Sequence, residues 1–303
     1  MKAWISRFPV LTLAICVLGI QFAIILIAGA MIPEGSHLHD IPDAHMLFRF
    51  RVFTPLVFAV GITWYLEGGA GLRKLFAAYR IWRVPGKWYA FSLTWKLLFC
   101  WLAWAVADLL GILPWPGFFL EYLFDDNAAH LKVMMWSMPF VLGLALVEET
   151  TWMKYCVTRL QENHSALFST VLTGLIWGLW YLPMLLLGEG VPDGVAWWIF
   201  IANMVALAVI LGWVYNMTHS GLILLIMQVI SNVAFFILPA LPITHDGDSS
   251  YVKAFVVVEL SMAVFIVLRY GAKDMGTIPR AKWSDPIPDP SQPIHSQVID
   301  VSN

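Results

Sequence analysis

The chain is expected to fold as an all-α membrane protein, a bundle of about eight transmembrane helices, and three observations predict this. Hydrophobic residues fill 60% of the 303 positions and charged residues 13%, with a mean hydropathy of +0.74, whereas soluble domains run near ~45–50% and ~25%. The apolar residues gather in stretches of roughly 20, the length that crosses a hydrocarbon core. Basic residues then fall mostly to one side of such a bundle, as the positive-inside rule requires. Too few charges remain to cover a soluble fold of this size. So apolar a chain is not disordered either. The net charge of −2 offers no basic field for nucleic acid. Cys16, Cys100 and Cys156 lie in or beside apolar stretches without CxxC spacing, which argues against a disulfide framework and a thiolate zinc site.

Taken in order, the spans read as 9–32, 52–66, 88–113, 132–150, 167–187, 196–216, 222–241 and 252–270. The first follows Lys2 and Arg7 as a signal peptide would. Its apolar core is too long, however, and lacks a small-residue cleavage site, so it reads as an uncleaved signal anchor. Residues 67–87 alternate basic and apolar side chains (Leu72, Leu75, Phe76, Tyr79, Ile81, Trp82), a pattern suited to a helix lying on the inner leaflet. Four regions result: two N-terminal spans in 1–66, the amphipathic segment 67–87, a six-helix core in 88–270, and a tail from 271 to 303. Five prolines among polar residues predict a disordered tail. With the N-terminus inside, cytoplasmic segments hold 13 of the 18 basic residues. Arg49, Arg51, Lys132 and Lys253 fall in the opposite loops. Both termini are therefore expected in the cytoplasm, and the bilayer is the first partner.

Ionisable side chains inside spans are the leading functional candidates, because lipid burial costs several kcal/mol. Glu148 and Glu149 end an apolar run from Val133, and Thr150–Gln161 has no Gly or Pro to stop a helix. If the helix continues to Gln161, both carboxylates lie about 18 Å above its cytoplasmic end at 1.5 Å per residue. The alternative is a span that ends at Val147 with both glutamates in water. Two further spans carry pairs at i,i+4 spacing, one-sided on a helix. They are Trp177 with Tyr181, and Gln228 with Asn232. By itself the first pair reads as packing and the second as interhelical hydrogen bonding. Lys96 is expected to snorkel to the inner interface. Glu259 should face the bundle interior, with no partner named by the sequence.

Together, EETTWMKYCVTRLQ, LIWGLWYLP and YNMTHSGLILLIMQVISN resemble the family of CAAX prenyl proteases and bacteriocin-processing proteins (CPBP). That family's pattern is EExxxR, then FxxxH, then HxxxN or HxxxD on successive membrane helices. The likeness spans residues 130–240. It implies buried glutamates, with Glu148 or Glu149 activating water, Trp177 at an aromatic position and Asn232 helping to stabilise an oxyanion. Trp152 and Met153, beside the glutamates, join Trp177 as candidate substrate-binding residues. Three positions depart from the pattern: Met153 replaces the arginine, Tyr181 the first histidine and Gln228 the second.

Phenol and amide are poor zinc ligands beside imidazole, so no metal or other cofactor is expected. Tyr181 and Gln228 still donate hydrogen bonds, but the best proton carrier near neutral pH is gone. The favoured reading is a diverged, inactive intramembrane protease that binds a hydrophobic peptide, lipid or partner helix. The alternative is an active endopeptidase in which Glu148, Glu149, Tyr181, Gln228 and Asn232 cleave a membrane-peptide or prenylated-protein substrate. A proton-coupled transporter would also bury carboxylates, yet the matching halves usual for that class are absent. The expected setting is a bacterial plasma membrane.

Overall fold

The computed structural model describes residues 1–115, 127–188, 194–237 and 249–292. Helices build it, and no strand occurs among the described residues. They are α1 (Lys2–Arg7), α2 (Pro9–Ala30), α3 (Pro42–Phe50), α4 (Thr54–Ala77), α5 (Gly86–Leu109) and α6 (Asn127–Glu148). A π-helix (Glu149–Val157) and α7 (Thr158–Leu160) continue α6. Then come α8 (Ala166–Leu186), α9 (Trp197–Thr218), α10 (Gly221–Ile237) and α11 (Ser249–Tyr270). Among the described residues six helical stretches are long and apolar enough to cross a membrane, and Gly221–Ala234 is a shorter apolar helix.

Several helix ends follow local chemistry. Proline opens α2 at its first turn, where its missing N–H removes nothing. Ser165 caps α8 by accepting from the Phe168 N–H at 3.2 Å. Ser220 Oγ accepts from the Ile223 N–H and donates to the Ile81 carbonyl, which ties the start of α10 to residue 81.

α9 is the central helix. From Ala206 to Thr218 every side chain is buried, as expected of a helix that is apolar on all sides. Its most extensive partner is α8, and two glycines allow the approach. A Cβ on Gly174 would lie 2.7 Å from Val205 Cα, and one on Gly178 would lie 2.8 Å from the Ile201 side chain. This is the small-xxx-small spacing by which membrane helices bring their backbones together.

The structure refines one expectation and corrects two. Gly68 (φ 60, ψ −149) breaks α4 at the start of the 67–87 segment, a conformation essentially confined to glycine, and a second helical stretch follows it to Ala77. Beyond the kink Leu75, Ala77, Ala78 and Ile81 are buried against the bundle.

Lys96 does not snorkel. Its Nζ lies 3.4 Å from Glu259 Oε1, with both side chains buried, and over the Phe255 ring at 4.3 Å. This pair joins α5 to α11.

The tail is ordered from 271 to 292, and residues 293–303 lie outside the described residues. Gln161 and Asn216 exchange amide hydrogen bonds at 3.1 and 2.9 Å. Gln161 Nε2 also donates to the Ala281 carbonyl, and Asn216 Oδ1 accepts from the Ala281 N–H. Trp283 packs under the Arg159 guanidinium at 3.8 Å and donates to Glu67. The prolines that suggested disorder are instead compatible with an extended strap, whose backbone groups bond to side chains of the bundle.

Candidate functional site

α6 carries the chain to Glu148, and the helix neither stops nor turns towards water. It widens into π geometry over Glu149–Val157, a form that concentrates at functional positions. Glu148 and Glu149 are each 1% exposed, so the interfacial alternative is overturned. In a π-helix the hydrogen bond runs from i to i+5, which removes Met153 from its place one α-turn from Glu149. Met153 is fully buried. Lys154 points the other way, with its ammonium over the Trp283 ring of the tail at 5.6 Å.

Three predicted residues meet directly. The Tyr181 hydroxyl donates to Glu148 Oε1 at 2.7 Å, and Gln228 Nε2 donates to Glu148 Oε2 at 2.6 Å. Both oxygens of one glutamate are thus held by α8 and α10, from the two positions where the motif has histidine. Glu149 is different. Neither of its oxygens has a hydrogen-bond partner among the described residues, and the same holds for Asn232 Nδ2 and Gln228 Oε1. Glu149 and Asn232 therefore lie on elements of the site without a hydrogen bond to its other members.

The predicted substrate-binding aromatics form one wall. Trp152 stacks on Trp177 with ring centroids 5.9 Å apart and 24° between planes, and it also meets Trp180 at 6.1 Å. Trp180 meets Tyr181 edge-on at 4.7 Å, and Phe200 closes the other side of Tyr181 at 5.5 Å. The indole N–H groups of Trp152 and Trp180 are buried without a hydrogen-bond partner among the described residues, whereas that of Trp177 is directed at Glu148.

Two neighbours escape the sequence reading. Arg51, assigned there to an outer loop, is 2% exposed. Its guanidinium lies over Phe48 at 4.1 Å, Trp180 at 5.3 Å and Tyr181 at 6.0 Å, and it interacts electrostatically with Glu148. A cation thus reaches the glutamates from the start of α4, although position 153 supplies none. The only hint in the sequence is an arginine flanked by aromatics in FRFRVFTP. The second neighbour is Tyr79, whose hydroxyl bonds Thr150 Oγ1 at 2.7 Å, beside Glu149. The alternating pattern had suggested a lipid-facing side chain.

No group of three or more His, Cys, Asp or Glu side chains able to hold a metal occurs among the described residues. Residues 130–234 match the family model described as type II CAAX prenyl endopeptidase Rce1-like. The match covers α6 from its fourth residue through most of α10, the elements that carry the glutamates, Tyr181, Gln228 and Asn232. No curated protein matches the chain.

Proposed function

We propose that the Rce1-like segment of this integral membrane protein holds an intramembrane site that binds a hydrophobic peptide, lipid or partner helix without cutting it. The observation that carries this reading is the clamp on Glu148. Tyr181 has one hydroxyl proton and gives it to Glu148 at 2.7 Å, so that proton is not directed at a developing oxyanion. Gln228 directs its amide to the same carboxylate. The residues at the histidine positions thus fix the glutamate, and neither can shuttle a proton near neutral pH as imidazole does. Two carboxylates, a phenol and two amides do not suit zinc, whose sites draw on imidazole or thiolate. The wall of Trp152, Trp177 and Trp180, with the Trp152 and Trp180 indole N–H groups unpaired among the described residues, suits an apolar ligand that brings one or two acceptors.

One observation favours the second reading, an active endopeptidase. Both Glu149 oxygens and Asn232 Nδ2 have no partner among the described residues. Glu149 could take the proton of an attacking water while Asn232 donates to the oxyanion, the division of labour that acyl transfer needs.

Cleavage of CAAX-type and membrane peptides by purified protein separates the two readings. The expected result is no turnover by the natural sequence. Met153→Arg, Tyr181→His and Gln228→His together should then gain cleavage that Glu149→Ala abolishes. Cleavage by the natural sequence, stopped by Glu149→Ala, would establish the active reading instead.

A further inference from the structure

A cavity of about 560 Å³ lies between the start of α2, the turn after α7 and the lower half of α8, within the ~300–1,000 Å³ range of ligand pockets. It is separate from the glutamate site. Its lining changes character along the helices. Arg7, Arg159, Asn163 and His164 line the end nearest the tail, whereas Leu11, Ala14, Leu172 and Ile176 line the part deeper in the bundle. From Pro9 to Ala14 α2 climbs about 7.5 Å at 1.5 Å per residue. Phe8 and Leu11 at its rim are exposed, so the cavity opens sideways to hydrocarbon.

The polar end holds an unfinished contact. The Arg159 side chain is 9% exposed and binds Glu67 through Nη2 at 2.6 Å. Its Nε–H, however, is buried without a hydrogen-bond partner among the described residues. Arg7 is exposed and lines the cavity, with its guanidinium over the Phe8 ring at 5.2 Å. Glu162 also lines the cavity, but both its oxygens accept from Ser284, at 2.5 Å from the backbone N–H and 3.0 Å from Oγ. A free phosphate would leave the apolar wall uncovered. A purely apolar ligand would leave the Arg159 Nε–H unsatisfied, at a desolvation cost of ~1–3 kcal/mol.

We propose that this cavity binds an anionic phospholipid of the cytoplasmic leaflet. Arg7 and the Arg159 Nε–H hold its phosphate, and one acyl chain lies along Leu11, Ala14, Leu172 and Ile176. Arg159 belongs to the helix that bears the glutamates, and Trp283 of the tail also lines the cavity, so the lipid would contact both. The proposal does not depend on whether the glutamate site cuts.

The test places full-length protein in phosphatidylcholine vesicles doped with a photoactivatable phosphatidylglycerol and maps crosslinks by peptide mass spectrometry. Crosslinks should concentrate on residues 6–14 and 172–176. Arg7→Glu should reduce them about tenfold through the reversed charge. Leu172→Trp should reduce them similarly by filling the apolar wall with no change in charge. The two variants act by unrelated means, and an unaltered thermal midpoint verifies the fold of each. Excess inorganic phosphate should leave the crosslinks in place. Displacement by inorganic phosphate would replace the lipid with a bare anion site, and crosslinks indifferent to both substitutions would overturn the proposal.

Discussion

Glu148 is held by two neutral donors from two helices, and this arrangement has a measurable energetic signature. A hydrogen bond to a charged group contributes ~1.5–3 kcal/mol, so Tyr181→Phe should lower the thermal midpoint appreciably. Glu148→Gln changes the same contact from the other side. The double variant should therefore cost less than the sum of the singles, since residues in one network are not additive. Additive losses in a thermal-melt cycle would mean that the 2.7 Å contact contributes little. Tyr181 and Gln228 were legible because they stand at the polar positions of the EExxxR, FxxxH and HxxxN pattern; their i,i+4 spacing alone would have read as packing. Arg51 was not legible. Nothing in a pattern of spacing reveals that a residue between two helices turns inward over three aromatic rings. Lys154 shows the converse. One residue from the motif's arginine position, it serves the tail, because the π-helix changes which side chains share a face.

Between elements, Lys96 and Glu259 join α5 to α11 across fully buried surfaces. A buried pair is weak evidence for net stability, but losing one partner leaves a charge uncompensated and costs ~3–5 kcal/mol. Lys96→Met or Glu259→Leu alone should therefore destabilise strongly, while the two together should recover most of the loss. If the double variant melts no higher than the worse single, the pair does more than neutralise itself. The sequence showed both residues as intramembrane charges but not their pairing, which depends on which helices pack together. The tail presents a different case. Burial pushes the Asp285 carboxyl above its ordinary range, while Lys282 and Lys154 pull it down and Glu162 raises it. A value raised by docking means that the docked tail holds the proton more tightly than the free one. Docking is then strongest in acid and weakens as pH rises from ~4. Asp285→Asn removes this loss. At pH 7 a protease should release the natural tail faster than the Asn variant, and near pH 4 the two should match. Slower release of the natural tail at pH 7 would show that the flanking lysines outweigh burial.

For the whole molecule, the ends of the chain constrain topology in a way that span counting does not. Arg7 and Trp283 line one cavity, so the first and last parts of the described chain share a face, and the chain crosses the membrane an even number of times between them. Among the described residues, length and composition give six helices able to cross and one shorter apolar helix. The continuous helix from α6 through the π segment and α7 is a further long element, with its glutamates buried. The six candidates already make an even total, and a total of eight requires that this helix and α10 both cross. By the positive-inside rule, the excess of basic residues on the shared face predicts that it lies in the cytoplasm. Single cysteines at Ser6, Ser250 and Ile287, in a background with Cys16 replaced by Ser, test the arrangement through labelling by an impermeant thiol reagent. Ser6→Cys and Ile287→Cys should label from the cytoplasmic side and Ser250→Cys only from outside, because α11 separates Ser250 from the tail. Label at Ser250 and Ile287 from the same side would require α11 to lie along the membrane. The Lys96–Glu259 pair would then have no hydrocarbon to be buried in, and the reading of a membrane-embedded bundle around Glu148 would fail with it.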